Sequence, residues 1–249
     1  MSSSERPEPS AVVDGVDDTL ASSRYDRQVR LWGAESQQKM MNSRILYIHV
    51  TGISAEILKN LALAGIKATL CDTRPVSETV PHFFTHPVVV DNDDDESSDQ
   101  TKSKRIKYAS IAHSVKPLVE EMNPLLDGCP ILEKKVEDLT EDDLREFTVI
   151  VASQIPLAQA VRLSQLVNRL RKKLYVADVF GFNGAVMMDL GKDLMYRPEV
   201  GKKLLDPVLL TPYVSLEDLV QVPLHECVNR FHKTPPSVYL RYQIGRAHV

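Results

Sequence analysis

What this 249-residue sequence lacks narrows its class before any motif is read. It has three cysteines, Cys71, Cys129 and Cys227, and none stands in C-x-x-C spacing. That usage offers no zinc site and points to a reducing compartment. No apolar run approaches the roughly 20 residues that a membrane-crossing helix requires. The polar amino terminus does not read as a signal peptide, and no internal repeat is visible.

What is present suits one large α/β domain, or a domain with a small appendage: 43% of the residues are hydrophobic. The net charge of −4 is unevenly placed. Residues 1–22 hold five acids and Arg6 among Ser, Pro and Asp, so 1–23 is expected to be a disordered acidic tail. Residues 91–99, "DNDDDESSD", hold six acids and no base. These two segments carry −4 and −6, which leaves the remainder at about +6. The acidic run reads as a solvated loop spanning about 88–104, with a binding tail as the alternative.

Hydrophobic periodicity orders the rest. Ser43–Val50 reads as a buried strand, Gly52–Leu63 as a helix ending at Gly65, and Lys67–Asp72 as a second strand closing a β-α-β unit. A helix is expected near Lys107–Met122 and a strand near Ile131–Val136. Thr140 with Asp143 resembles a capping box. Thr148–Ser153 reads as a strand, Leu157–Lys172 as a helix, and Leu174–Gly181 and Gly184–Gly191 as the last strands. Strands alternating with helices predict a doubly wound, Rossmann-like, mainly parallel sheet. The turn around Phe182-Asn183 is too short for a parallel crossover, so the final pair is expected to be antiparallel at one end.

The first strand–helix turn, "HVTGIS" (His49–Ser54), is short of glycine. A pyrophosphate there needs bare backbone, because side chains block its approach to the amides. His49 and Ser54 stand where two glycines would be, and only Gly52 remains. Asp72 could bind a ribose in a NAD enzyme, or simply end its strand. Gly52-Ile53-Ser54 also resembles the front of a hydrolase nucleophile elbow, but Glu56 takes the place of its second glycine. The simpler expectation makes Ser54 a helix-start residue satisfying backbone amides.

Before the first strand lies "RYDRQVRLWG" (Arg24–Gly33), followed by "SRILYIHVTGISAEILKNLALAGI". These segments resemble the opening of the ubiquitin-like-modifier activating enzymes. "EMNP" (Glu121–Pro124) and "ADVFGFNGAVMMDLG" (Ala177–Gly191) extend the resemblance over about 24–213. Without the resemblance, Arg24–Gly33 would read as an amphipathic lead-in helix with a buried Trp32. The family pairs an active adenylation (ThiF-like) half with an inert one. The resemblance implies the inert half here: the glycine loop is broken, "TRPVSETVPHFFTH" after Asp72 holds no Asn-x-x-Arg-Gln element, and no cysteine lies in the family's catalytic context.

Chain length and "DVFGFNG" resemble the small, non-catalytic subunit of the SUMO-activating branch. The inert half of the ubiquitin branch is fused to a much longer chain, and the Nedd branch carries a large inserted domain. The resemblance then implies a heterodimer with a catalytic subunit that holds ATP and Mg and bears the thioester-forming cysteine. SUMO would be met through the complex, in the nucleus and also the cytoplasm, with no nucleic-acid or membrane partner and no cofactor or metal on this chain. It implies that Arg27 reaches as an arginine finger into the partner's ATP site, with Arg30 in support. The alternative for both is a surface ion pair with Asp26 or Glu35. Residues 214–243 resemble the start of the family's carboxy-terminal element, cut short. Ile244–Val249, "IGRAHV", is what a common sequencing adapter encodes, so 244–249 is expected to be non-native.

Overall fold

The computed structural model describes residues 18–78, 80–85, 108–201, 203–211 and 213–223. The acidic run at 91–99, Cys227 and the segment 244–249 lie outside the described residues. Helix α1 (Asp18–Trp32) turns at Gly33 into α2 (Ala34–Met41). Its start at Asp18 corrects the expected tail of 1–23: Thr19, Leu20 and Ala21 continue into the Arg24–Trp32 segment as one helix. Then come β1 (Arg44–Ile48), α3 (Gly52–Leu63), β2 (Lys67–Cys71), α4 (Ile111–Met122), α5 (Glu141–Leu144), β3 (Val149–Ala152), α6 (Leu157–Arg169), β4 (Lys173–Phe180) and β5 (Asn183–Asp189).

The five strands form one sheet in the order β2-β1-β3-β4-β5. The first four are parallel, and β5 returns antiparallel on β4 with Phe180 opposite Asn183. Alternation along β1 feeds both faces. Ile45 and Tyr47 pack with Ala55, Leu58, Val115 and Val119 of α3 and α4. Leu46 and Ile48 pack with Leu144, Leu163 and Val167 of α5 and α6. The fold is therefore α/β and doubly wound, mainly parallel with an antiparallel end. Among the described residues no helix is long and apolar enough to cross a membrane.

Three local differences from the sequence reading have physical causes. The strand expected near Ile131–Val136 shrinks to one parallel bridge between Ile131 and Leu70. The polar run Glu133-Lys134-Lys135 then leaves the sheet edge, and Val136–Asp138 forms a 3₁₀ turn. Trp32 is 38% exposed, so it is not the buried aromatic of the lead-in helix; Tyr25, at 3%, takes that place. Beyond β5, two small antiparallel ribbons pair β6 (Met195–Tyr196) with β9 (Val208–Leu209), and β7 (Glu199–Val200) with β8 (Lys203–Leu204). A short helix α7 (Leu216–Gln221) follows.

Candidate functional site

The turn after β1 sits at the carboxyl ends of the parallel strands, where doubly wound sheets bind ligands. Its backbone groups are engaged by the chain's own side chains. The Val50 amide donates to Asp72 Oδ2 at 2.8 Å, and the Thr51 amide to Ser54 Oγ at 2.7 Å. That second bond is one half of a capping box at the start of α3. Ser54 Oγ in turn donates to the His49 carbonyl at 2.8 Å, and Thr51 Oγ1 pairs with Ser153 Oγ at 2.7 Å. Ser54 is buried and held on several sides, so it is a helix-start residue and not an exposed nucleophile.

His49 adopts φ 61°, a left-handed conformation that favours glycine. Its ring lies over the start of the next loop, with Nδ1 3.2 Å from the Ser153 carbonyl and 3.3 Å from that of Gln154. Burial, helped by the nearby Arg74 guanidinium, lowers its pKa below the ordinary histidine value. Gly52 alone stays bare: it is exposed, and a Cβ there would meet open space.

Asp72 lies where a ribose-binding acid would stand, but its carboxylate is occupied. Arg74 grips it with Nη2 2.7 Å from Oδ2 and Nε 2.9 Å from Oδ1, and the Arg74 amide donates to Oδ1 at 3.2 Å. Arg74 was not legible as a site residue, although its place two residues after a strand-ending Asp was the available signal. The cleft that remains has a volume of about 160 Å³, below the roughly 300–1,000 Å³ of small-molecule sites. Glu78, Asp178 and Gln154 line it beside Arg74, so a phosphate entering it would face two carboxylates. Among the described residues no cluster of His, Cys, Asp or Glu is arranged to hold a metal. Cys71 and Cys129 are buried, and burial pushes both thiols up to about 12.

The two arginines of the lead-in helix differ. Arg30 pairs with Asp26 at 2.9 Å on the surface, the ion-pair alternative for that residue. Arg27 is exposed and makes no ion pair or hydrogen bond among the described residues, while Glu35 is taken by Lys39 at 2.7 Å. The structure does not bring Arg27 to the turn. Its helix docks on the Ala62–Gly65 end of α3. The turn lies at the other end, about 16 Å away along the helix axis.

The fold and this turn together define a doubly wound α/β domain whose first strand–helix turn is closed by its own side chains. No family model matches the chain. It is 31% identical over 199 residues to SUMO-activating enzyme subunit 1 of Danio rerio, covering 77% of this chain and 52% of that protein. It is 26% identical over 251 residues to the Xenopus tropicalis protein of the same name, covering 87% of this chain and 66% of that protein. DNA damage tolerance protein rad31 of Schizosaccharomyces pombe is 30% identical over 169 residues, covering 67% of this chain and 49% of that protein. The chain is thus similar to SUMO-activating enzyme subunit 1 over two thirds or more of its own length. It spans about half the length of the curated relatives it matches. The solved structure of TcdA (CsdL) overlaps 65% of the chain and 59% of its own at TM-score 0.48 and 15% identity, a likeness that carries no argument.

Proposed function

We propose that this chain is the non-catalytic subunit of a heterodimeric SUMO-activating enzyme. It supports ATP-dependent adenylation of the SUMO carboxyl terminus and the transfer of SUMO to a cysteine of the catalytic subunit. ATP and Mg sit in that partner, and this chain lends architecture and the Arg27 charge, in the nucleus and also the cytoplasm. The observation that carries the inert assignment is the closed turn: the Val50 and Thr51 amides donate to Asp72 and Ser54.

A partner is supported by a sheet face that is exposed among the described residues. Cross-strand pairing puts Val179, Val186 and Met188 on the same side, toward the face that α3 and α4 cover elsewhere. Val179 on β4 and Val186 and Met188 on β5 are all exposed, and Phe182 at the hairpin tip is fully so. A contiguous apolar face of this kind marks a protein–protein contact more often than scattered surface residues do. The test is co-expression with a SUMO-activating catalytic subunit, followed by size-exclusion chromatography and SUMO-dependent ATP–pyrophosphate exchange. A heterodimer that exchanges pyrophosphate supports the reading. Two separate monomers, or SUMO adenylation by this chain alone, overturn it.

A further inference from the structure

Helix α1 carries Arg27, yet among its described side chains only Tyr25 is buried. The rotation of α1 therefore depends on what holds one phenol. Asn123, 1% exposed and 98 residues away, donates from Nδ2 to Tyr25 Oη at 2.9 Å and to the Ala62 carbonyl at 2.6 Å. Its Oδ1 accepts from the Leu125 amide at 3.3 Å, which fixes the amide orientation. Below the ring lies Gly65 at φ 87°, where a Cβ would stand 2.8 Å from Tyr25 Oη and 2.9 Å from Cζ. No other residue fits under the phenol without moving it.

Neighbouring groups dock to the same place. Arg24 Nη2 donates to the Met122 carbonyl at the end of α4, at 3.0 Å. Gln37, buried in α2, donates to the Ala64 carbonyl at 2.9 Å and accepts from Trp32 Nε1 at 3.1 Å. The lead-in segment and the Asn123 element, far apart in sequence, thus meet on the carbonyls that end α3. Tyr25 and Arg27 are two positions apart, about 200° around the helix, so seating the phenol aims the guanidinium outward.

We propose that Tyr25, Asn123 and Gly65 form a positioning lock that sets the rotation of α1 and so the reach of Arg27. The lock rests on the reading of Arg27 as a charge delivered to the partner's nucleotide. None of the three residues touches substrate; they act through Arg27. A guanidinium aimed at developing phosphate charge is sensitive to small displacements, and a 1 Å misplacement can cost about a hundredfold in rate.

The experiment uses the assembled heterodimer with a SUMO-activating catalytic subunit, ATP and SUMO. SUMO-dependent ATP–pyrophosphate exchange is compared for wild type, Tyr25→Phe, Gly65→Ala, Arg27→Ala and the Tyr25→Phe/Arg27→Ala double variant. Tyr25→Phe keeps the ring and removes one hydrogen bond, so it folds even where Gly65→Ala does not. It is expected to lower kcat about tenfold, less than a full 1 Å misplacement, with KM for ATP and SUMO nearly unchanged. In the Arg27→Ala background, Tyr25→Phe is expected to add nothing. Equal slowing by Tyr25→Phe in both backgrounds overturns the lock, as does a wild-type rate for Tyr25→Phe beside a slow Arg27→Ala. A wild-type rate for Arg27→Ala removes the reading beneath, and the lock with it.

Discussion

Arg74 closes over Asp72 at the mouth of the turn, both guanidinium contacts lying within 2.9 Å of a carboxylate that has no exposed surface. The pair stands where a nucleotide ribose would approach, and it shields a charge that solvent does not reach. Removing one partner of a buried ion pair leaves the other uncompensated, so Arg74→Ala is expected to lose about 3 kcal/mol of stability. Asp72 still accepts from the Val50 and Arg74 amides, which keeps the loss from being larger. Urea unfolding of the two proteins measures it. A loss within about 0.5 kcal/mol would mean that solvent screens the pair, as at the surface.

Glycines restored to the turn will not restore a nucleotide site. His49→Gly relieves the left-handed strain, whereas Ser54→Gly removes the oxygen that accepts from the Thr51 amide. Loss of such a cap costs about 1 kcal/mol. Asp72, Arg74 and the acids of the cleft are untouched in the double variant. Calorimetry of the chain alone is expected to register no micromolar ATP binding before or after the change. Micromolar binding by the double variant would show that the two side chains, and not Arg74 with Asp72, closed the site.

Stability should fall as pH drops below about 6.5, the ordinary histidine value. Burial lowers the pKa of both His49 and His82; Arg74 adds to the lowering and Asp72 counters it. In each case the folded pKa lies below the unfolded one, so the unfolded chain binds more protons in the window between them. The contribution is full above the unfolded value and is lost as pH falls toward the folded one. Urea midpoints at pH 8, 7, 6 and 5 test this. The His49→Gln/His82→Gln variant should flatten the profile between pH 7 and 5; an unchanged slope assigns it to the carboxylates.

The parallel core was readable because β1 after Arg44 and β3 are largely buried, mainly aliphatic runs and α3 is bounded by Thr51 and Gly65, all local signals. The closed turn was half readable. His49 and Ser54 stand in the chain where glycines belong, but the bond from Val50 to Asp72 crosses 22 residues. Tyr25 and Asn123 stand in two separate motifs, yet their pairing across 98 residues leaves no trace in periodicity. Trp32 misled because size suggested burial. Its indole instead lies at the surface, donating to Gln37. The ribbons at Met195–Leu209 have two-residue strands, too short for any alternation to register.

Arg27 should matter to catalysis by the complex far more than to the folding of this subunit. It is exposed and has no ion-pair partner among the described residues, so its removal breaks no ion pair or hydrogen bond among them. A surface arginine in an ordinary pair contributes about 0–1 kcal/mol, and Arg27 lacks even that. Its helix is docked away from this chain's own closed turn, as the proposed reach into a neighbouring subunit requires. A guanidinium fixed against developing charge on a phosphate is worth about a hundredfold in rate, or about 3 kcal/mol. Arg27→Ala is therefore expected to leave heterodimer assembly and Tm nearly unchanged while slowing ATP–pyrophosphate exchange about a hundredfold. Arg27→Lys should recover only part of the rate, because an ammonium lacks the planar fork. Arg30→Ala is the control: held by Asp26, Arg30 is expected to affect exchange much less. An alanine variant of Arg27 that exchanges pyrophosphate at wild-type speed would make it a surface residue and nothing more.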